Sequence, residues 1–131
     1  MIILDTQAVA WLARRPQKLS REARRAIEKE SRKQGLAIAS ATLFELAQMS
    51  ASGEVTTART PAEWLKDLVA ESGVGVRELT ADIAAVAAYL PATFPQDPFD
   101  RIIAATAIVE RIPLVTSDGR IRGSRVVRTI W

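Results

Sequence analysis

The chain alternates between two hydrophobic patterns. One is a short continuous apolar run: Ile2-Ile3-Leu4, Leu36-Ala37-Ile38-Ala39 and Leu114-Val115-Thr116, with Val76–Leu79 and Val126-Val127-Arg128-Thr129-Ile130 as shorter or more mixed cases. Runs apolar at every position suit strands covered on both faces, as in a parallel sheet. The other pattern spaces apolar residues three and four apart, which predicts helices. These cover Ala8–Arg14, stopped by Pro16; Ser20 to about Lys33, closed by Gly35; Ala41–Met49 after Ser40; Pro61–Glu71; Ala81–Leu90; and Pro98–Glu110. Residues 51–59 form a polar connection, and Arg120–Arg125 reads as a basic loop before the last strand. Strand and helix in alternation predict an α/β fold: a three-layer α/β/α sandwich around a central, mainly parallel sheet.

Local signals sharpen several boundaries. Thr60-Pro61-Ala62-Glu63 is a capping box with proline at the first helical position. Asp97-Pro98 repeats that start, an N-cap followed by a proline whose missing N–H costs nothing there. Within Ala41–Met49, Leu43, Phe44, Leu46 and Ala47 are expected to supply packing, leaving Glu45 as the one charge in an apolar neighbourhood. Most of the aromatics read as core, so base stacking is not evident.

Composition narrows the chemistry. A chain of 131 residues fits a single domain over 1–131 that buries roughly two-thirds of its unfolded surface. It has no cysteine, which excludes disulfides and thiolate metal sites, and no histidine, which removes the commonest general base and zinc's preferred ligands. Hydrolytic chemistry would therefore rest on carboxylates, hydroxyls and an oxygen-seeking cation such as Mg²⁺ or Mn²⁺. The net charge of +3 is modest, but residues 14–33 carry nine Arg/Lys against three Glu, and residues 119–131 carry four Arg and no acid. Those basic stretches suit a polyanion or, equally, a solvated helix face. The start Met1-Ile2-Ile3-Leu4-Asp5 holds no signal peptide and no apolar run approaches membrane-spanning length, so a soluble, cytoplasmic protein is expected.

Four acids fall where an open α/β sheet builds its sites, beyond the carboxyl ends of the strands and at the facing helix starts. Asp5 ends the first strand, Glu45 lies in the helix after the second, Asp100 is in the first turn of Pro98–Glu110, and Asp118 follows Leu114-Val115-Thr116. Each has a plainer reading: Asp5 and Asp97 as caps, Glu45 facing solvent from a helix edge, Asp118-Gly119 as a turn. Carboxylates gathered at one edge would repel one another unless a divalent cation neutralised them.

With these residues the chain resembles the PIN-domain nucleases, specifically the VapC-type toxins of bacterial toxin–antitoxin pairs. The resemblance is carried by Asp5-Thr6 after an apolar strand, Glu45 in a helix after a strand, Asp97-Pro98-Phe99-Asp100-Arg101 with its Ile-Ile-Ala-Ala-Thr-Ala continuation, and Thr116-Ser117-Asp118. It extends from Ile2 to the last strand. The resemblance implies a Mg²⁺- or Mn²⁺-dependent endoribonuclease, a cognate antitoxin that blocks the cleft, and a homodimer. Many relatives carry a histidine shortly before the Asp-Pro-Phe-Asp string, where this chain has Thr93-Phe94-Pro95-Gln96.

On this reading Asp5, Glu45, Asp100 and Asp118 are the catalytic acids, and Asp5 and Asp100 hold the metal. Thr6, Thr116 and Ser117 are candidates to orient water or a phosphate oxygen. Arg101 either meets the RNA backbone or pairs with Asp97, itself a cap first, and the basic residues of 14–33 and 120–128 are placed to follow RNA. A non-catalytic PIN-like module binding nucleic acid or protein is the alternative; it would tolerate the loss of acids, and none is missing. A receiver-type signalling module would need a lysine after a late strand, and the last lysine is Lys66. Phosphatases with paired strand-end acids would need one at Gln7.

Overall fold

The computed structural model describes residues 1–131. In chain order its elements are β1 (Ile2–Leu4), α1 (Thr6–Arg14), a 3₁₀ turn (Pro16–Lys18), α2 (Arg21–Ser31), β2 (Leu36–Ala39), α3 (Ser40–Ala51) and α4 (Pro61–Ser72). There follow β3 (Gly75–Arg77), α5 (Ala81–Ala88), α6 (Pro98–Glu110), β4 (Leu114–Val115), α7 (Gly119–Ser124) and β5 (Thr129–Ile130). The five strands form one sheet in the order β3-β2-β1-β4-β5, and all four pairings are parallel. The chain winds outward from β1 through β2 to β3, then returns to the other side of β1 with β4 and β5. The direction of winding therefore reverses between β1 and β4, where the ends of two neighbouring strands leave a crevice.

Period-two alternation along the short strands builds the three layers. Ile2, Leu4, Leu36, Ile38 and Val115 pack on one face with Val9 of α1, Ile27 of α2, Leu46 of α3 and Leu68 of α4. Ile3, Ala37, Ala39 and Leu114 face the other way, onto Ile103, Ala104 and Ala107 of α6 and Ile121 of α7. α5 lies on α6 through Ile83, Ala87 and Ala105. The small residues of α6 thus let one helix touch the sheet on one side and a second helix on the other.

The capping signals act as their chemistry dictates. Thr60 and Glu63 exchange both bonds of the capping box, Ser20 accepts from Ala23 N at 3.1 Å, and Asp97 Oδ1 accepts from Phe99 N at 2.8 Å and Asp100 N at 3.1 Å. α6 covers Pro98–Glu110, as its pattern predicts.

Other expectations are corrected. Residues 119–124 are helical, not a basic loop, because Asp118 caps them and Ile121 has a buried place on the sheet. The last strand shrinks to Thr129–Ile130, and α5 stops at Ala88. After α2 the left-handed residue is Gln34, not Gly35. Gly35 sits in a crowded place instead: a Cβ there would stand 2.6 Å from Glu30 Oε2 and would displace that carboxylate from the N-terminal ammonium it receives at 3.0 Å. Phe44 is 55% exposed and Tyr89 90%, so neither belongs to the core; Phe94, at 1%, does.

Candidate active site

The crevice between β1 and β4 opens into a cavity of about 570 Å³ lined by Asp5, Glu45, Asp100 and Asp118, with Thr6 and Ser117 between them. Four segments distant in sequence supply these groups, and each is placed by local structure. Asp5 follows β1 and caps α1, its Oδ1 accepting from Ala8 N at 2.8 Å. Glu45 projects from the second turn of α3 and accepts a short 2.6 Å hydrogen bond from Thr6 Oγ1, which shares a 3.1 Å hydrogen bond with buried Thr42. Asp100 stands in the first turn of α6. Asp118 caps α7 through Arg120 N at 2.8 Å, and its own N–H donates to Thr116 Oγ1 at 3.1 Å.

Electrostatics divides the four. Burial pushes Asp5 up to about 6; the Thr116 hydroxyl and the Ala8 amide pull it back, and the charges of Asp100 and Asp118 push further. Asp100 also rises to about 6, through burial and then through Asp97, Glu45 and Asp118. Glu45 is raised by burial against the stabilising bond from Thr6. Asp118 moves the opposite way: the Arg120 guanidinium, 3.0 Å from Oδ2, holds it below the usual carboxylate range. Three acids that resist ionisation around one crevice form a pocket suited to positive charge.

As the side chains stand, no three acidic groups enclose an ion position. Oxygens of Asp5, Glu45 and Asp118 are turned onto Ala8 N, Thr6 Oγ1 and Arg120 respectively. The donor set nevertheless fits Mg²⁺ or Mn²⁺, being all carboxylate and hydroxyl oxygen. Mg²⁺ in particular keeps several waters and is commonly bound through one or two carboxylates, so a closed protein cage is not needed. Asp5 and Asp100, which repel each other across the cavity, are the pair whose charge such an ion would neutralise.

The remaining site candidates sort clearly. Asp97 is an N-cap that also bears on Asp100 and Glu45 electrostatically. Thr116 is fully buried and acts on Asp5 and Asp118 from beneath. Arg101 is turned into the fold. It forms no ion pair with Asp97; its guanidinium donates to the carbonyls of Ala87, Leu90, Pro91, Phe94 and Pro95 at 3.0–3.4 Å. It fastens the proline-rich segment 91–97 to α6.

Several lining residues escaped the sequence reading: Gln7, Gln48, Ser52 and a fifth acid, Glu54. Gln48 and Ser52 were findable, since they follow Glu45 at three and seven residues and so lie on its face of α3. Arg120 was read only as part of a basic stretch.

The fold and this acid-lined crevice define a class, and comparison with known proteins agrees: a family profile described as PIN domain matches residues 2–124, and the chain belongs to that family. It is 38% identical over 132 residues to Ribonuclease VapC22 of Mycobacterium tuberculosis, covering 99% of this chain and 98% of that protein. Among solved structures, VapBC2 from Rickettsia felis bound to a promoter DNA fragment shares the fold with a TM-score of 0.71 at 18% identity, over 98% of this chain and 97% of that one. A toxin–antitoxin complex from Klebsiella pneumoniae does so with a TM-score of 0.65 at 22% identity, over 95% and 93% of the two chains.

Proposed function

We propose that this chain is a Mg²⁺- or Mn²⁺-dependent endoribonuclease, the toxin of a toxin–antitoxin pair, which works as a cytoplasmic homodimer and is silenced by a cognate antitoxin over its cleft. The observation that carries the reading is the convergence of Asp5, Glu45, Asp100 and Asp118 on one cavity at the sheet's switch point, in a chain without histidine or cysteine. The 38% identity to a protein named a ribonuclease supports the reaction class, and neighbours titled toxin–antitoxin complexes support the partner. No helix is long and apolar enough to cross a membrane.

Asp5 and Asp100 would hold the cation, with Glu45 and Asp118 completing its surroundings directly or through water. The chemistry such an ion would supply is acidification of a water and stabilisation of charge on the phosphoryl oxygens. The protein's own part is to place and tune the acids. The Thr6 hydroxyl holds Glu45 in place, and the partial burial of Asp5 and Asp100 reduces their contact with bulk water, which strengthens their grip on positive charge. Ser117, on the cavity wall, would donate to a phosphate oxygen or to the attacking water. A non-catalytic binding module would gain nothing from carboxylates held at such electrostatic cost.

The test is cleavage of RNA by the purified chain with Mg²⁺ present and with Mg²⁺ removed by chelation, alongside Asp100→Asn. Cleavage is expected only for the wild type with metal, while circular dichroism shows the variant folded. Undiminished cleavage by Asp100→Asn overturns the assignment.

A further inference from the structure

Beside the acid cavity lies a second one of about 280 Å³, and the two share Gln7, Met49 and Glu54 as common wall. Its far side carries Arg14, Arg15 and Lys18, with Trp11 as the large aromatic surface. The connection follows from helix geometry. Gln7, Trp11 and Arg14 recur on one face of α1, so the helix that begins at the metal-site acid ends, about 12 Å further along its axis, among three cations.

None of these cations is neutralised by an acid of the fold. The ion pairs of the protein are Met1 with Glu30, Arg59 with Glu63 and Asp67, Arg77 with Glu110, and Arg120 with Asp118. Arg14, Arg15 and Lys18 enter none of them. Arg14 reaches only the Glu54 carbonyl, at a long 3.5 Å, and Lys18 lies 5.9 Å from the Trp11 ring centroid. Trp11 also meets Trp131, their centroids 5.8 Å apart. Complementing the dipole of α1 engages Arg14 at most; Arg15 and Lys18 lie beyond the helix.

We propose that this groove is the track along which single-stranded RNA leads into the acid cavity, Arg14, Arg15 and Lys18 taking successive backbone phosphates while Trp11 offers a ring against which a base can rest. The inference rests on the ribonuclease reading and names the part of the molecule that holds substrate away from the bond being cut. A polyanion entering a negatively lined pocket gains from cations placed just outside it, where they do not compete with the bound metal ion. Base stacking on an aromatic ring adds affinity with little sequence preference.

The experiment compares wild type with Arg14→Ala/Arg15→Ala/Lys18→Ala, measuring kcat and KM on a single-stranded oligonucleotide over a KCl series, and on a dinucleotide too short to reach the groove. For the oligonucleotide KM is expected to rise about tenfold or more, and the slope of log KM against log salt to fall by about 2, from three lost phosphate contacts. kcat and dinucleotide cleavage should stay near wild type, and Arg14→Lys/Arg15→Lys should keep the wild-type slope. An unchanged slope and KM, with wild-type cleavage intact, overturns the track while leaving the ribonuclease reading in place. Unchanged RNA kinetics with lost binding of an acidic peptide or antitoxin would assign the groove to a protein partner and overturn it as well. Absence of RNA cleavage by the wild type removes both readings together.

Discussion

Asp5 and Asp118 both lie beyond the carboxyl ends of neighbouring parallel strands, Asp5 directly after β1 and Asp118 three residues after β4. Each caps the helix that follows through one oxygen at 2.8 Å from a backbone amide. Their charge behaviour is opposite. Asp5 is buried with no cation beside it and is pushed up to about 6, whereas Asp118 is at the rim, held by Arg120, and drops below the ordinary range. The same cap therefore gives either a carboxylate that resists ionisation or one that keeps its charge further into acid. Burial and one guanidinium make the difference, not the motif.

The largest consequence falls on the buried corner. Asp5→Asn keeps a side chain able to cap α1 but removes the charge, so RNA cleavage should fall by at least about 100-fold, a typical loss for electrostatic stabilisation of a transition state. The same variant should stabilise the metal-free protein at neutral pH by on the order of 2 kcal/mol, readable by denaturant unfolding. A destabilised variant would show that the cap needs the charge.

Next is the pH profile. Asp5 and Asp100 bind protons more tightly folded than unfolded, with values near 6 against 3.8. Their contribution is thus fully present below about pH 4 and is lost as the pH rises through about 6. Asp118 works in reverse, its contribution present above its unfolded value and lost as acid protonates it. Metal-free protein should therefore lose thermal stability from about pH 5 to 7, and added Mg²⁺ should restore it at pH 7; a rising profile contradicts the buried corner's account.

Thr6→Val isolates one hydrogen bond of that corner. It leaves the Glu45 carboxylate without its 2.6 Å donor and should cost about 1–2 kcal/mol in unfolding free energy, with the Glu45 carboxyl titrating still higher by NMR. The smallest effect is at the rim. Arg120→Ala should leave thermal unfolding nearly unchanged, since exposed ion pairs contribute little, yet the Asp118 carboxyl should titrate upward toward the ordinary value. No movement of Asp118 would show that the cap, not the guanidinium, holds its charge.

Much of this geometry was legible beforehand, for identifiable reasons. An apolar run followed within a few residues by an acid locates a strand's carboxyl end, which is why Asp5 and Asp118 could be placed. Asp97-Pro98 followed by an apolar stretch located α6 and, with it, Asp100. Three features were not legible. Phe44 sits in a helix with apolar residues on several sides, so spacing alone does not say which one faces water; the structure turns Phe44 out, against Phe99 with ring centroids 5.6 Å apart. The partners of Arg101 are carbonyls gathered by the turn-rich segment 87–95, and sequence spacing says nothing about where such a segment folds back. Arg120 holds Asp118 only because residues 119–124 coil into a helix, and Gly-Arg-Ile-Arg-Gly-Ser carries too little periodicity to reveal it.

Calorimetric titration of Mn²⁺ into the wild type and into Asp5→Asn/Asp100→Asn at pH 7 bears most directly on the central claim, that the crevice between β1 and β4 is a carboxylate site for a divalent ion. One saturable binding event is expected for the wild type and none for the double variant. Equal binding by both proteins would place the ion elsewhere and contradict the account.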